Sequence, residues 1–123
     1  MHHLPHDILQ KCKKKLLETK MELLNRGKDT EKQLRELGDK SGDEADQSAA
    51  ILNENEVLTK QERIRFQLQE IDLALSKIDR GIYGICEETE EPIEPARLLA
   101  IPWTRLSIEG AEVREALQKR FAR

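Results

Sequence analysis

The stretch DQSAAILNENEVLTKQERIRFQLQEIDLALSKIDR, residues 46–80, decides the fold. It contains neither proline nor glycine, and its apolar positions recur at alternating spacings of four and three residues. These positions, one of which holds a glutamine, are Val57, Gln61, Ile64, Leu68, Ile71, Leu75 and Ile78. Because that spacing keeps one face of an α-helix apolar, as in coiled coils, we predict a helix over about residues 47–80.

A preceding helix is predicted over about residues 7–37. The segment is rich in Lys, Glu, Leu and Gln, which favour helix, and Gly27 is its one weak point. Apolar or small residues again follow a three-and-four spacing, which drifts at Lys20 and Thr30. They are Leu9, Cys12, Leu16, Leu23, Gly27, Leu34 and Leu37. This helix therefore also has one face to bury.

Residues 38–48 separate the two helices and are predicted to form a turn. Gly38 and Gly42 tolerate the backbone angles of a turn, and the Asp and Ser side chains between them favour it. Two one-faced helices joined by a short turn are expected to pack antiparallel, because each covers the apolar face of the other. Residues 1–80 are therefore predicted to form a coiled-coil hairpin, about 50 Å long at 1.5 Å per residue, with residues 38–48 at its tip.

Residues 81–123 differ in composition and are predicted to form a small globular head. They contain three of the four prolines and most of the bulky residues. Its predicted core is Ile93, Leu98, Leu99, Ile101, Trp103, Leu106 and Ile108. Residues 109–121 are predicted to form a C-terminal helix with Val113, Leu117 and Phe121 on one face.

The composition limits the function classes. In 123 residues, 37% charged and 3% aromatic, there is room for one small core plus an extended element. A net charge of −3 argues against direct DNA binding, which needs many cations. We expect no membrane partner and a cytoplasmic protein, because no apolar run approaches a membrane span and the start lacks a signal peptide's apolar core.

Signatures of catalysis are absent from the sequence. It contains no Gly-rich phosphate loop, and its histidines are His2, His3 and His6, at a chain end that seldom holds metal ligands in fixed geometry. Cys12 and Cys86 lie in unlike contexts and suggest no disulfide. We therefore expect no enzyme and no catalytic residues.

The stretch RGIYGICEETEEPIEPARLLAIPWTRLSIEG, residues 80–110, resembles the DksA/TraR family of RNA polymerase regulators. That family places Gly, an aromatic residue, Gly and Cys-x-x-Cys after the second helix, and a second Cys-x-x-Cys about 17 residues later completes a zinc finger. The positions in register here are Tyr83, Gly84, Cys86, Ile93, Arg97, Leu98, Ala100 and Pro102. The resemblance implies a mainly α fold, in which the helical hairpin carries a small zinc-finger-like head and a C-terminal helix.

The four positions that would bind zinc in the family are Cys86, Thr89, Ser107 and Gly110. A closed structural zinc site needs four ligands, and these residues supply one thiolate. We therefore predict a degenerate finger with no metal and no cofactor. Burial of large apolar side chains, at about 1.5 to 3 kcal/mol each, would stabilise it instead. Cys86 is predicted to be a buried thiol that packs as a small apolar group.

The family's acidic tip signature falls on Asp43, Asp46 and Ser48, where serine replaces an alanine. The resemblance implies that the hairpin enters the secondary channel of bacterial RNA polymerase. Its tip would then set two carboxylates near the catalytic Mg²⁺ and modulate initiation, and Arg63 would face the channel. A simpler interpretation is that Asp43 turns the chain and that Asp46 or Ser48 caps the second helix. The two roles do not exclude each other.

The resemblance also makes the alarmone ppGpp a candidate co-effector. The family's basic ligand positions read Glu70, Ile101 and Ala111 here, so the response is expected to be weak, absent or carried by the polymerase. We expect a monomer. Two alternatives remain open: a coiled-coil adaptor that recruits another protein, and a stimulator of transcript cleavage whose tip acids hold Mg²⁺.

Overall fold

The computed structural model describes residues 4–39 and 44–121, with only the backbone for residues 39 and 44–46. Its helices are α1 (His6–Asp39), α2 (Glu44–Asp79), α3 (Pro95–Ala100) and α4 (Ile108–Phe121). Outside residues 1–3, 40–43 and 122–123, the chain contains no strand and one isolated antiparallel bridge, between Ile85 and Pro92. The predicted mainly α fold with two long helices is confirmed.

The helix ends differ slightly from the predicted ones. Helix α1 continues through Gly38, and α2 begins at Glu44 rather than at residue 47. A glycine within a helix costs about 1 kcal/mol, which the many favourable residues before it can offset. The short helix α3 was not predicted; Pro95 stands in its first turn, where proline is tolerated because that N–H has no helical partner.

Two compact units make up the chain. One consists of Met1–Glu18 with Glu70–Arg123, and the other of Thr19–Gln69. Each long helix therefore contributes to both units. The boundary expected from the sequence, between residues 80 and 81, remains a prediction.

In the unit Thr19–Gln69, α1 and α2 pack antiparallel. Residues 23–33 of α1 and 60–67 of α2 line one groove, whereas residues 33–37 of α1 and 53–60 of α2 line another, so the numbering rises in one helix as it falls in the other. Leu23 and Val57 are buried. Thr30, at which the apolar spacing of α1 drifts, is also buried. Its hydroxyl donates a 2.8 Å hydrogen bond to the Arg26 carbonyl, and this bond allows a polar side chain to be buried.

In the unit that contains the head, the ends of α1 and α2 contribute to the core. The buried side chains are Leu4, Cys12, Leu16, Ile71, Ala74, Tyr83, Cys86, Ile93, Leu98, Pro102 and Ser107. The predicted head core was wrong at Leu99 and Ile108, which are 38% and 51% exposed. The apolar face predicted for the C-terminal helix is also exposed, because α4 buries only Gly110 in its first turn. That face consists of Val113, Leu117 and Phe121.

Side-chain donors hold the segment around α3 by its backbone. The Lys15 amino group donates to the carbonyls of Leu99 and Ala100, at 3.2 and 3.0 Å. The Tyr83 hydroxyl donates to the Pro102 carbonyl at 2.7 Å, and burial raises the pKa of Tyr83. Helix α2 ends at Asp79, and the turn that follows contains Gly81, whose φ of +73° suits glycine. The Ile82 amide closes this turn by donating to the Lys77 carbonyl at 3.0 Å.

Neither long helix has an apolar window long enough to cross a bilayer, and the same holds for the rest of the described chain.

Candidate functional site

The four zinc positions meet in one pocket of the head. Cys86 and Thr89 belong to a tight turn that two backbone hydrogen bonds close. The Cys86 amide donates to the Glu91 carbonyl at 2.8 Å, and the Glu90 amide donates to the Cys86 carbonyl at 2.9 Å. Ser107 precedes α4 and caps it, since the Gly110 amide donates to the Ser107 hydroxyl at 3.0 Å. The structure therefore brings these four residues together.

Hydroxyl and amide groups surround the Cys86 sulfur. The sulfur accepts hydrogen bonds from the side chains and backbone amides of both Ser107 and Thr89. Burial alone raises the pKa of the Cys86 thiol, but these four donors outweigh burial and lower its pKa to about 6. Cys86 is buried, as predicted, but its setting is polar rather than apolar.

Gly110 allows this arrangement because it has no side chain. A Cβ at this position would overlap the Cys86 sulfur, and it would also lie 3.3 Å from the Ser107 hydroxyl oxygen and 3.4 Å from the Glu88 Cβ. Glycine is a poor residue for the first turn of a helix on propensity alone. The close approach of the sulfur therefore explains why glycine occupies this position.

The residues at the four zinc positions do not fit a zinc ion. Zinc prefers thiolate, imidazole and carboxylate ligands, and this pocket offers one thiolate, two hydroxyls and a glycine. The sulfur points at Gly110, where a fourth ligand's Cβ would stand. Within residues 4–39 and 44–121, no group of three or more His, Cys, Asp or Glu side chains is placed to hold a metal.

An ion-pair network occupies one position at which the family would present a basic residue. Glu70 accepts two hydrogen bonds from the Arg105 guanidinium, both at 2.8 Å. Glu87 extends the network, at 3.9 Å from Arg105 and 3.7 Å from Lys77. Spacing along the sequence does not identify this pairing, because residues 70 and 105 come together only through the fold.

The other predicted site residues lie apart from this pocket. Asp43 lies outside the described residues, and Asp46 belongs to α2 but only its backbone is described. Ser48 and Arg63 are exposed on α2. Ile101 and Ala111, at the other two alarmone positions, are partly buried.

Comparison with known proteins gives a consistent result over most of the chain. Residues 81–116 match the family described as prokaryotic dksA/traR C4-type zinc finger. An uncharacterized protein of Aquifex aeolicus is 40% identical over 109 residues, which cover 86% of this chain and 75% of that protein. The RNA polymerase-binding transcription factor DksA of Caulobacter vibrioides is 35% identical over 111 residues, which cover 90% of this chain and 78% of that protein.

A solved structure has the same fold. The structure of transcription factor DksA2 from Pseudomonas aeruginosa matches with a TM-score of 0.85 and 33% identity, covering 95% of this chain and 90% of that chain. The similarity therefore extends well beyond the finger. The Caulobacter DksA and the Pseudomonas DksA2 are both named as transcription factors.

Proposed function

Because this chain belongs to the DksA/TraR family, we propose that it binds bacterial RNA polymerase and regulates transcription. The observation that carries the proposal is the match over 95% of the chain to the DksA2 transcription factor, which includes both long helices as well as the head. A bacterial polymerase as partner implies that the protein acts in the cytoplasm.

The proposed mechanism has the hairpin enter the secondary channel of the polymerase. Asp43 and Asp46 would then lie near the catalytic Mg²⁺, where two carboxylates can perturb the ion and the mobile elements around it. The antiparallel packing of α1 and α2 supports this role, because residues 40–43 form the connection between paired helices. Ser48, exposed on α2 just after the two acids, would adjust the strength of the contact.

The alarmone ppGpp is proposed to act weakly, or not at all, through this chain. A polyphosphate needs cations, and the Glu70 carboxylate would oppose one. The bond to Arg105 strengthens this argument, since it uses a nearby guanidinium that could otherwise contact phosphate. Any strong response would then come from the polymerase.

Direct binding tests the proposed function. The purified protein is expected to co-elute with purified bacterial RNA polymerase and to inhibit transcription at a subset of promoters. Failure to bind polymerase under conditions where a family member binds would contradict the proposal and favour a coiled-coil adaptor. Faster RNA cleavage in stalled complexes, without an effect on initiation, would favour the transcript-cleavage alternative.

The head is proposed to fold without zinc, with the hydrogen-bonded Cys86 sulfur in place of a metal centre. Elemental analysis of protein produced in zinc-supplemented medium should find far less than one zinc per chain. A chelator should leave thermal unfolding unchanged, whereas loss of a structural zinc would remove on the order of 10 kcal/mol. Stoichiometric zinc, or unfolding on chelation, would contradict this proposal.

A further inference from the structure

A groove of about 380 Å³ runs between α1 and α2 within the unit Thr19–Gln69. We call it the cationic groove, because Arg26 of α1 and Lys60 and Arg63 of α2 line it. Leu23 and Ile64 add an apolar surface to its lining. The groove thus combines a charged rim with apolar side chains.

The charge of the cationic groove contrasts with that of the chain. Its three cations and one acid, Asp29, leave a local charge of +2 (3 − 1), whereas the whole chain has a net charge of −3. Each of the three cations is exposed, and none forms an ion pair with any side chain in the described part of the protein. Other exposed cations do form such pairs, for example Lys14 with Glu18.

The antiparallel register brings these cations together. Lys60, Arg63 and Gln67 recur at spacings of three and four and so lie along one side of α2. Leu23, Arg26 and Thr30 do the same on α1. The Thr30 hydroxyl is already bonded to the Arg26 carbonyl, so the donors left for a ligand are the cationic groups and the amides of Gln33 and Gln67.

An acidic protein segment fits the cationic groove better than a small anion does. The cations stand exposed along the groove rather than being buried around one point, and Leu23 and Ile64 line the same groove. A helix with acidic and apolar residues on one face would satisfy both features, as in helix-in-groove recognition. Complementary charge of this kind also speeds association and sets the register of docking.

We propose that the cationic groove is a docking surface for an acidic, amphipathic segment of RNA polymerase, with Arg26, Lys60 and Arg63 as its charged contacts. The inference rests on the proposed polymerase binding and goes beyond it. It makes Arg63 one of three cooperating cations and assigns a role to helix α1, for which the sequence predicted none.

Matched triple variants test the inference. One variant carries Arg26→Gln, Lys60→Gln and Arg63→Gln; the control carries Lys28→Gln, Lys32→Gln and Arg65→Gln, which remove three exposed cations outside the groove from the same unit. The probe is purified polymerase free of nucleic acid. The groove variant should bind about tenfold more weakly and with less dependence on salt, whereas the control should change about twofold or less. Circular dichroism checks that both remain helical.

The other outcomes separate the two proposals. If wild type binds polymerase and the groove variant binds equally well, the docking surface is wrong and the proposed function stands. Equal losses in both variants would indicate general charge attraction and overturn the inference. A loss seen only with polymerase that carries nucleic acid would identify phosphates as the occupant and also overturn it. If wild type itself does not bind, the proposed function fails.

Discussion

Gly110→Ala is expected to destabilise the head by about 2 kcal/mol, although alanine is normally the better helix residue. The added methyl would overlap the Cys86 sulfur, which four hydrogen bonds hold in place. Relief would require the sulfur to move and those bonds to break. Thermal unfolding followed by the fluorescence of Trp103, the only tryptophan and part of the same unit, measures the effect.

Two comparisons isolate the cause of this loss. Gly27→Ala is the matched control, since its Cβ would meet only Ile64, at an ordinary 3.9 Å, and it should stabilise by up to about 1 kcal/mol. In a Cys86→Ala background the sulfur is gone, so adding Gly110→Ala should cost little further stability. If Gly110→Ala is as stable as Gly27→Ala, the sulfur does not approach Gly110 as described.

Replacement of both tip acids, Asp43→Asn with Asp46→Asn, is expected to abolish promoter-specific inhibition while polymerase binding persists. The amides keep the size of the side chains and remove two negative charges, so a mechanism that acts on Mg²⁺ should fail. Inhibition in purified transcription should fall about tenfold or more, the factor that corresponds to 1.4 kcal/mol. Binding should change little, because the proposed docking surface lies on the sides of α1 and α2.

The control for the tip variant is Glu54→Gln with Glu62→Gln, which removes two exposed acids from α2 away from the tip. It should inhibit as wild type does. Full inhibition by the tip variant would refute the carboxylate mechanism. Equal loss in both pairs would mean that the overall charge of α2, rather than the tip, controls the activity.

Periodicity predicted the long helices well because one physical requirement, the burial of one face, acts along their whole length. Val57, Ile71 and Leu16 are buried where the spacing placed them. The head was harder to predict, because a small fold cannot cover every apolar residue. In the head unit, Phe121 is 78% exposed and Leu99 is 38% exposed.

The functional residues also differ in how far the sequence alone could predict their arrangement. The four zinc positions follow from their register with the family motif, and the structure brings them together. By contrast, the ion pair of Glu70 with Arg105 depends on the fold, and so does the presence of Arg26 and Lys60 in one groove. Sequence spacing puts Lys60 and Arg63 on one side of a helix, but it does not identify the residues of α1 that line the same groove.

The side-chain-to-backbone hydrogen bonds that hold the segment around α3 also determine which of its residues can be substituted. Lys15, Tyr83 and Arg97 each donate from a side chain, whereas the groups that accept are carbonyls of Leu99, Ala100, Pro102 and Leu106. Every amino acid carries a carbonyl, so mutations at the accepting residues leave the acceptors intact. Substitutions at the accepting residues therefore keep these bonds possible, whereas a change at Lys15, Tyr83 or Arg97 removes the donor itself. The Leu106 carbonyl also has a second side-chain donor, the Thr104 hydroxyl at 3.0 Å.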